Sequence, residues 1–328
     1  MTGEVEKGPA SRHYLALSGG VGGAKLSLGL MHLLGERLTV AVNTGDDFEH
    51  VGLHVSPDVD TTIYTLADLV NPDTGWGRRN ETWTFMAALK ALGGPAWFNL
   101  GDGDLALHVE RTRRLRTGEP LSAITADVAA RLGIAARILP MCDEAVRTFV
   151  DTDMGQLEFQ QYFVREQCRP RVRGIRFEGA ERARPLPALQ RALGEPGLAG
   201  ILICPSNPYL SVDPILAVPG MRALLRGAGV PIVAVSPIVG GQAIKGPTAK
   251  IMGELGLASD AGTIVQHYAG LIDGFVLDAT DAQLQDSFGI PVYVTNTIMH
   301  NLDDKILLAK ACLGFCDRLP ALGSKAST

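Results

Sequence analysis

The chain has 328 residues, is 46% hydrophobic and 20% charged, and carries a net charge of −5 at neutral pH. That is enough apolar material for one large α/β domain with a smaller one inserted into it. The lack of a basic excess argues against nucleic acid as a partner, and the lack of any long apolar run argues against a membrane span.

The first dozen residues are polar, without an apolar signal core, and read as a disordered start of a cytoplasmic protein. An apolar run at residues 14–17 then ends in Ser18-Gly19-Gly20-Val21-Gly22-Gly23-Ala24-Lys25. Leu26, Leu30 and Leu33 follow at helical spacing, so this stretch predicts strand, glycine turn and helix. Glycines at such a turn adopt positive φ and admit a ligand close to the backbone. The helix start adds free N–H groups and the positive end of a dipole, which suits a phosphate, and Lys25 adds a point charge. The pattern is neither Gly-x-x-x-x-Gly-Lys-Ser nor Gly-x-Gly-x-x-Gly, so a purely structural turn competes with the phosphate reading.

The helix is expected to end near Gly35. Residues 38–43 form a second buried strand, which stops at Asn43-Thr44-Gly45-Asp46-Asp47. A strand-helix-strand succession implies a parallel, right-handed crossover, and ligands of such sheets sit beyond the carboxyl ends of the strands. Both turns lie at such ends. Next comes Ser56-Pro57-Asp58-Val59-Asp60-Thr61, where Asp60 or Thr61 is expected to cap a helix over residues 62–69. Asp46, Asp47, Asp58 and Asp60 thus crowd two neighbouring loops. Each alone reads as a cap or turn residue; together, beside a phosphate-type turn, they suit Mg²⁺, which takes one or two protein carboxylates and keeps other positions for water and phosphate oxygens.

Residues 81–92 predict a helix on which Trp83 reads as a core side chain or as a platform for a planar ligand. Residues 95–104 resemble a strand ending in an acidic glycine turn, and residues 108–116 a helix carrying His108, Arg111, Arg113 and Arg114. Most of these arginines read as solvated, while one facing a cleft would hold an anion bidentately. Residues 143–193 read as a small α+β insert, leaving 1–142 and 194–328 as a Rossmann-like core. The sheet resumes at residues 200–204 and breaks into Pro205-Ser206-Asn207-Pro208, where Ser206, Asn207 and Ser211 offer hydroxyl and amide groups to a ligand. Strands at residues 230–236, 274–277 and 292–295 complete it, the first ending in Pro237-Ile238-Val239-Gly240-Gly241. Residues 302–315 close the chain with a helix. The five cysteines, Cys142, Cys168, Cys204, Cys312 and Cys316, read as buried thiols in a reducing compartment rather than zinc ligands or disulfides.

Taken in order, Ser18 to Lys25, Asn43 to Asp47, Ser56 to Thr61, Leu100-Gly101-Asp102, Ile138-Leu139-Pro140-Met141, Pro205 to Pro208 and Val235 to Gly240 resemble the 2-phospho-L-lactate transferase family of deazaflavin coenzyme F-420 biosynthesis. The alanine- and arginine-rich make-up resembles its bacterial branch. The resemblance implies a doubly wound, mainly parallel α/β fold with a small second domain, a homodimer and a Mg²⁺-dependent transfer. It implies an acceptor, the terminal ribityl hydroxyl of 7,8-didemethyl-8-hydroxy-5-deazariboflavin, and a guanosine-diphosphate-linked donor that releases GMP. The transferred acid is phosphoenolpyruvate in bacterial relatives and 2-phospholactate in archaeal ones. Asp60 matches the family's deazaflavin-contacting acid. Asn99 stands where the family has a basic residue, which alters the expected acceptor contact.

On this basis Asp46 and Asp60 are the expected metal ligands and catalytic acids, with Asp60 placed to take the hydroxyl proton. Gly19, Gly20, Val21, Gly22, Gly23, Lys25, Ser206, Asn207, Ser211, Pro237 and Gly240 are the expected donor site, and Asp60, Asn99 and Trp83 the acceptor site. Competing readings are a nicotinamide-dependent oxidoreductase, a nucleotide-sensing module and a general sugar-nucleotide transferase. The first is disfavoured because Asn43 to Asp47 replace the ribose-binding acid expected one strand after the glycine turn.

Overall fold

The structure, a computed structural model, describes residues 12–320 apart from Lys245, so the expectation for the polar start falls largely outside the described residues. Seven parallel strands form the central sheet: β1 (His13–Ser18), β2 (Leu38–Val42), β3 (Arg137–Pro140), β4 (Leu198–Ile203), β5 (Ile232–Val235), β6 (Gly274–Asp278) and β7 (Val292–Thr295). Their order is β7-β6-β5-β4-β1-β2-β3. The chain starts in the middle, runs outward through β2 and β3, then returns to the other side of β1 at β4. The crevice above β1 and β4 is therefore the topological switch point, where open parallel sheets bind their ligands.

These strands are apolar on both faces because both faces are covered. Tyr14 and Ala16 of β1 pack with Leu26, Leu30 and Leu34 of α1 (Gly20–Leu34), and Leu15 and Leu17 pack into a second core on the opposite side. Against the first face lie α2 (Pro57–Leu66) and, further along, α4 (Leu302–Cys316); α3 (Asp102–Arg116) lies beyond α2. A side chain at Gly29 of α1 would strike the Lys305 backbone of α4, so this glycine sets how closely the two helices approach.

Within residues 143–193, the strands Gly155–Glu158, Arg147–Thr152 and Val172–Glu178 form a separate antiparallel sheet. Val150, Phe159 and Val172 from this region share the core that contains Leu15 and Leu17. Thr148 N–H donates to the carbonyl of Gly45 at 2.7 Å, which brings this sheet against the acidic turn after β2.

Several local expectations are corrected. The helix after Ser56 begins at Pro57, because proline is pre-organised for a first helical position, so Asp60 lies inside the first turn instead of capping it. A hairpin for which no element was expected spans residues 48–55, Phe48–His50 against Leu53–Val55, turned by Val51 and Gly52 with φ of 47° and 75°. Residues 95–101 are not a strand; Gly101 precedes α3, which starts at Asp102 where a carboxylate is favoured by the helix dipole. Trp83 is not in the core: it is 51% exposed at the start of the helix Thr84–Ala91.

Candidate active site

The glycine turn is shaped by crowding as well as by conformation. Gly19 is extended, with φ −161°, and Gly20 enters α1 at φ +63°. A Cβ on Gly19 would sit 2.6 Å from Ser211 Cβ and 2.7 Å from Asp58 Oδ2. One on Gly22 would strike the Pro205 carbonyl, and one on Gly23 would lie 2.7 Å from Ser206 Oγ. Gly19 N–H donates to Ser206 Oγ at 3.2 Å. The end of β1, the start of α1 and the turn after β4 therefore meet in close contact, with the hydroxyls of Ser18, Ser206 and Ser211 among them, beside the N–H groups that open α1.

Asn43 ties the opposite wall to this turn. Its side-chain N–H₂ donates to Asp58 Oδ2 at 2.9 Å and to the Leu210 carbonyl at 3.3 Å, while its Oδ1 accepts from Gly45 N–H at 2.8 Å. A buried amide thus ends β2 where a dinucleotide fold would present an acid to a ribose.

The four aspartates occupy different environments. Burial raises the Asp58 carboxyl from its ordinary value to about 6, against hydrogen bonds from Asn43 and the Gly20 amide that favour the charged form. Burial raises Asp46 well above the usual range, and the nearby charges of Asp58 and Asp47 push the same way. Asp46 Oδ1 is buried without a hydrogen-bond partner. Asp47 is already engaged, Oδ1 by Ser56 Oγ at 2.7 Å and Oδ2 with His54 Nε2 at 2.9 Å.

Asp60 lies in the same buried layer but faces α3. Arg111 reaches both its oxygens, Nη1 donating to Oδ2 at 3.1 Å and Nη2 to Oδ1, and Ser56 N–H reaches Oδ2 at 3.3 Å. A cation on Asp60 would have to share the carboxylate with a guanidinium, whereas Asp46 has no such competitor. Among the described residues no three histidine, cysteine or acidic side chains form a ready cage for a metal ion. The orphaned oxygen of Asp46 beside Asp58 nonetheless fits a cation such as Mg²⁺, which needs few protein ligands.

The remaining expected residues are spread more widely. Asn207 Oδ1 accepts from the N–H groups of Tyr209 and Leu210 at 3.0 and 3.1 Å, so it builds the turn that presents Ser206 and Ser211. Lys25 Nζ donates to the Met299 carbonyl at 2.7 Å, on the side of α4. Pro237 is buried after β5, and Gly240 N–H donates to Asp281 Oδ2 at 2.9 Å. Asn99 is exposed, as Trp83 is. Arg111 and Asn43 had no assigned place in the expected site. The signal for Arg111 was its spacing: Asp104, His108 and Arg111 recur on one face of a helix.

Comparisons with known proteins identify the family. The family described as 2-phospho-L-lactate transferase CofD matches residues 15–298. A phosphoenolpyruvate transferase of Streptomyces griseus is 38% identical over 317 residues, covering 94% of this chain and 99% of that protein. One of Streptomyces coelicolor is 38% identical over 315 residues, covering 93% and 98%. A solved structure of a UPF0052 family member from Bacillus halodurans shares the fold, with a TM-score of 0.60 at 15% identity over 93% of this chain and 100% of that one. An end-to-end match of this kind places the protein among the transferases: it belongs to the 2-phospho-L-lactate transferase CofD family.

Proposed function

We propose that the chain transfers a phosphoenolpyruvyl group from enolpyruvoyl-diphospho-5'-guanosine to the terminal ribityl hydroxyl of 7,8-didemethyl-8-hydroxy-5-deazariboflavin, forming the dehydro precursor of coenzyme F-420 and releasing GMP. The hydroxyl oxygen forms a bond to the phosphorus that carries the enolpyruvyl group, the anhydride bond to GMP breaks, and the hydroxyl proton leaves to a base. Supporting the donor is the set of relatives at 38% identity that bear the name phosphoenolpyruvate transferase.

One observation carries the reading: buried carboxylates, one with an unpartnered oxygen, stand beside a glycine-lined helix start. Such a site suits a diphosphate together with a cation. The amides of Gly19 to Gly23 and the hydroxyls of Ser18, Ser206 and Ser211 would receive the diphosphate oxygens. Asp46 and Asp58 would hold Mg²⁺, which supplies charge neutralisation to the diphosphate when bound. Asp60, held by Arg111 on the α3 side, would reach the acceptor hydroxyl through a lone pair that Arg111 leaves open and take its proton. A homodimer is carried over from the resemblance.

The test is mass spectrometry of products from the purified protein, the deazaflavin, Mg²⁺ and each guanylyl donor in turn. The expected product carries the enolpyruvyl group. A product two hydrogens heavier, formed only with the lactyl donor, would assign the phospholactate branch instead. No product with either donor would overturn the reading.

A further inference from the structure

Among the described residues Arg111 is the largest fully buried side chain, at 1% exposure. It belongs to a polar ladder between α2 and α3. Asp60 and Tyr64 are four apart on α2, and Asp104, His108 and Arg111 lie on one face of α3. Tyr64 Oη–H donates to Asp104 Oδ1 at 2.6 Å, His108 Nε2 lies 3.2 Å from Asp104 Oδ2, and His108 Nδ1 lies 3.7 Å from Asp60 Oδ2 and 3.4 Å from Arg111 Nη1. Arg111 closes the ladder on both oxygens of Asp60. A buried pair of this type adds little stability over apolar side chains of the same volume, so its placement calls for another reason.

We propose that Arg111 is a positioning residue for the acceptor step. Its planar fork fixes the rotation of the Asp60 carboxylate, and His108 braces the fork, so that Asp60 meets the acceptor hydroxyl in one orientation. The inference rests on the acceptor role given to Asp60 above. A lysine in place of Arg111 would keep a charge but lose the two-point contact, and such exchanges at bidentate sites are not conservative.

The experiment measures kcat and both KM values for wild type, R111K, D60N and the double variant, with GDP binding by calorimetry. R111K is expected to lose about tenfold to a hundredfold in kcat/KM for the deazaflavin, with GDP affinity within about twofold of wild type. D60N and the double variant should be equally impaired, because the fork acts only through Asp60. H108N should give a smaller loss of the same kind, and it serves where R111K fails to fold. An R111K enzyme with wild-type acceptor kinetics, or losses that multiply in the double variant, overturns the inference alone. An equal loss of GDP affinity overturns it in favour of a structural role. A wild-type enzyme inert toward the deazaflavin overturns the parent reading and the inference together.

Discussion

Asn43 donates to Asp58 at 2.9 Å, joining the end of β2 to the first turn of α2. The bond works against burial: it favours a charged Asp58 in a place where the carboxyl is raised to about 6. Removing the donor leaves a buried carboxylate with fewer partners. Asn43→Ala is therefore expected to destabilise the protein by about 1–3 kcal/mol. The sign with pH follows from the raised value. Stability linked to Asp58 is fully present below its ordinary value of 3.8 and lost as pH rises through about 6. The variant should thus differ most from wild type above about pH 6 and least near pH 4, where Asp58 is protonated in both. Thermal melts at pH 4.5 and 8 check this; a gap that widens toward low pH would count against it.

Asp46 shares this pH sign, but its substitution is expected to stabilise. Its carboxyl is raised by burial and by Asp58 and Asp47, and one oxygen has no partner. With a folded value above 3.8, its contribution to stability is present at low pH and lost as pH rises through the folded value. Asp46→Asn removes the charge but keeps the shape. The metal-free variant is expected to be more stable than wild type at pH 8, on the order of 1–3 kcal/mol, since the cost of burying an ionisable carboxyl is gone. The difference should shrink as pH falls toward 4. Turnover should drop by about a hundredfold or more, because charge stabilisation at the reacting group is lost. Melting curves without metal, paired with product assays, decide both halves. A less stable variant at pH 8 would show that the bond to Asn43 outweighs the cost of burying the carboxyl.

The parts of this site that were legible in the sequence were those written as breaks in hydrophobic patterning. Gly19 to Gly23, Asn43 to Asp47 and Pro205 to Asn207 each interrupt an apolar run, and a parallel sheet gathers such interruptions at one edge. What stayed hidden depended on contacts between distant segments. Arg111 sits among Arg113, Arg114 and Arg116 on α3, and composition does not distinguish a buried guanidinium from solvated ones. Only the facing pair of Asp60 and Tyr64 on α2 does so, and that pairing is tertiary. Trp83 failed for the converse reason. Its helical spacing suggested a core face, but Thr84–Ala91 is a short helix over a small side cluster with Met86 as its single buried residue.

The glycines of the turn separate two physical reasons for having no side chain. Gly20 has φ +63° but open space, the nearest atom to an added Cβ being Ser211 Oγ at 3.8 Å. Gly22 has no such dihedral, yet its Cβ would strike the Pro205 carbonyl. Gly20→Ala should cost about 1–2 kcal/mol through the left-handed backbone alone. Gly22→Ala must push α1 away from the turn after β4, costing about 1–3 kcal/mol of overpacking and weakening GDP binding as well. Urea denaturation gives the two stabilities, and calorimetry with GDP gives the binding. If Gly20→Ala proved the more damaging to GDP affinity, close packing would not be what ties this turn to GDP binding.

The acceptor contact expected of Trp83 from the sequence can be tested directly. At 51% exposure it contributes little to the core, so Trp83→Ala should change stability by no more than about 0.5 kcal/mol. An exposed indole on the segment that also carries Asn99 is suited to stack on the flat deazaflavin ring. Stacking of a planar base on an aromatic side chain is worth about 1–3 kcal/mol. The variant should therefore raise the KM for the deazaflavin by about fivefold or more while leaving the donor KM unchanged. Steady-state kinetics with one substrate varied at a time measure this. A normal acceptor KM in a normally folded Trp83→Ala enzyme would remove the tryptophan from the acceptor site and leave Asp60 as its anchor.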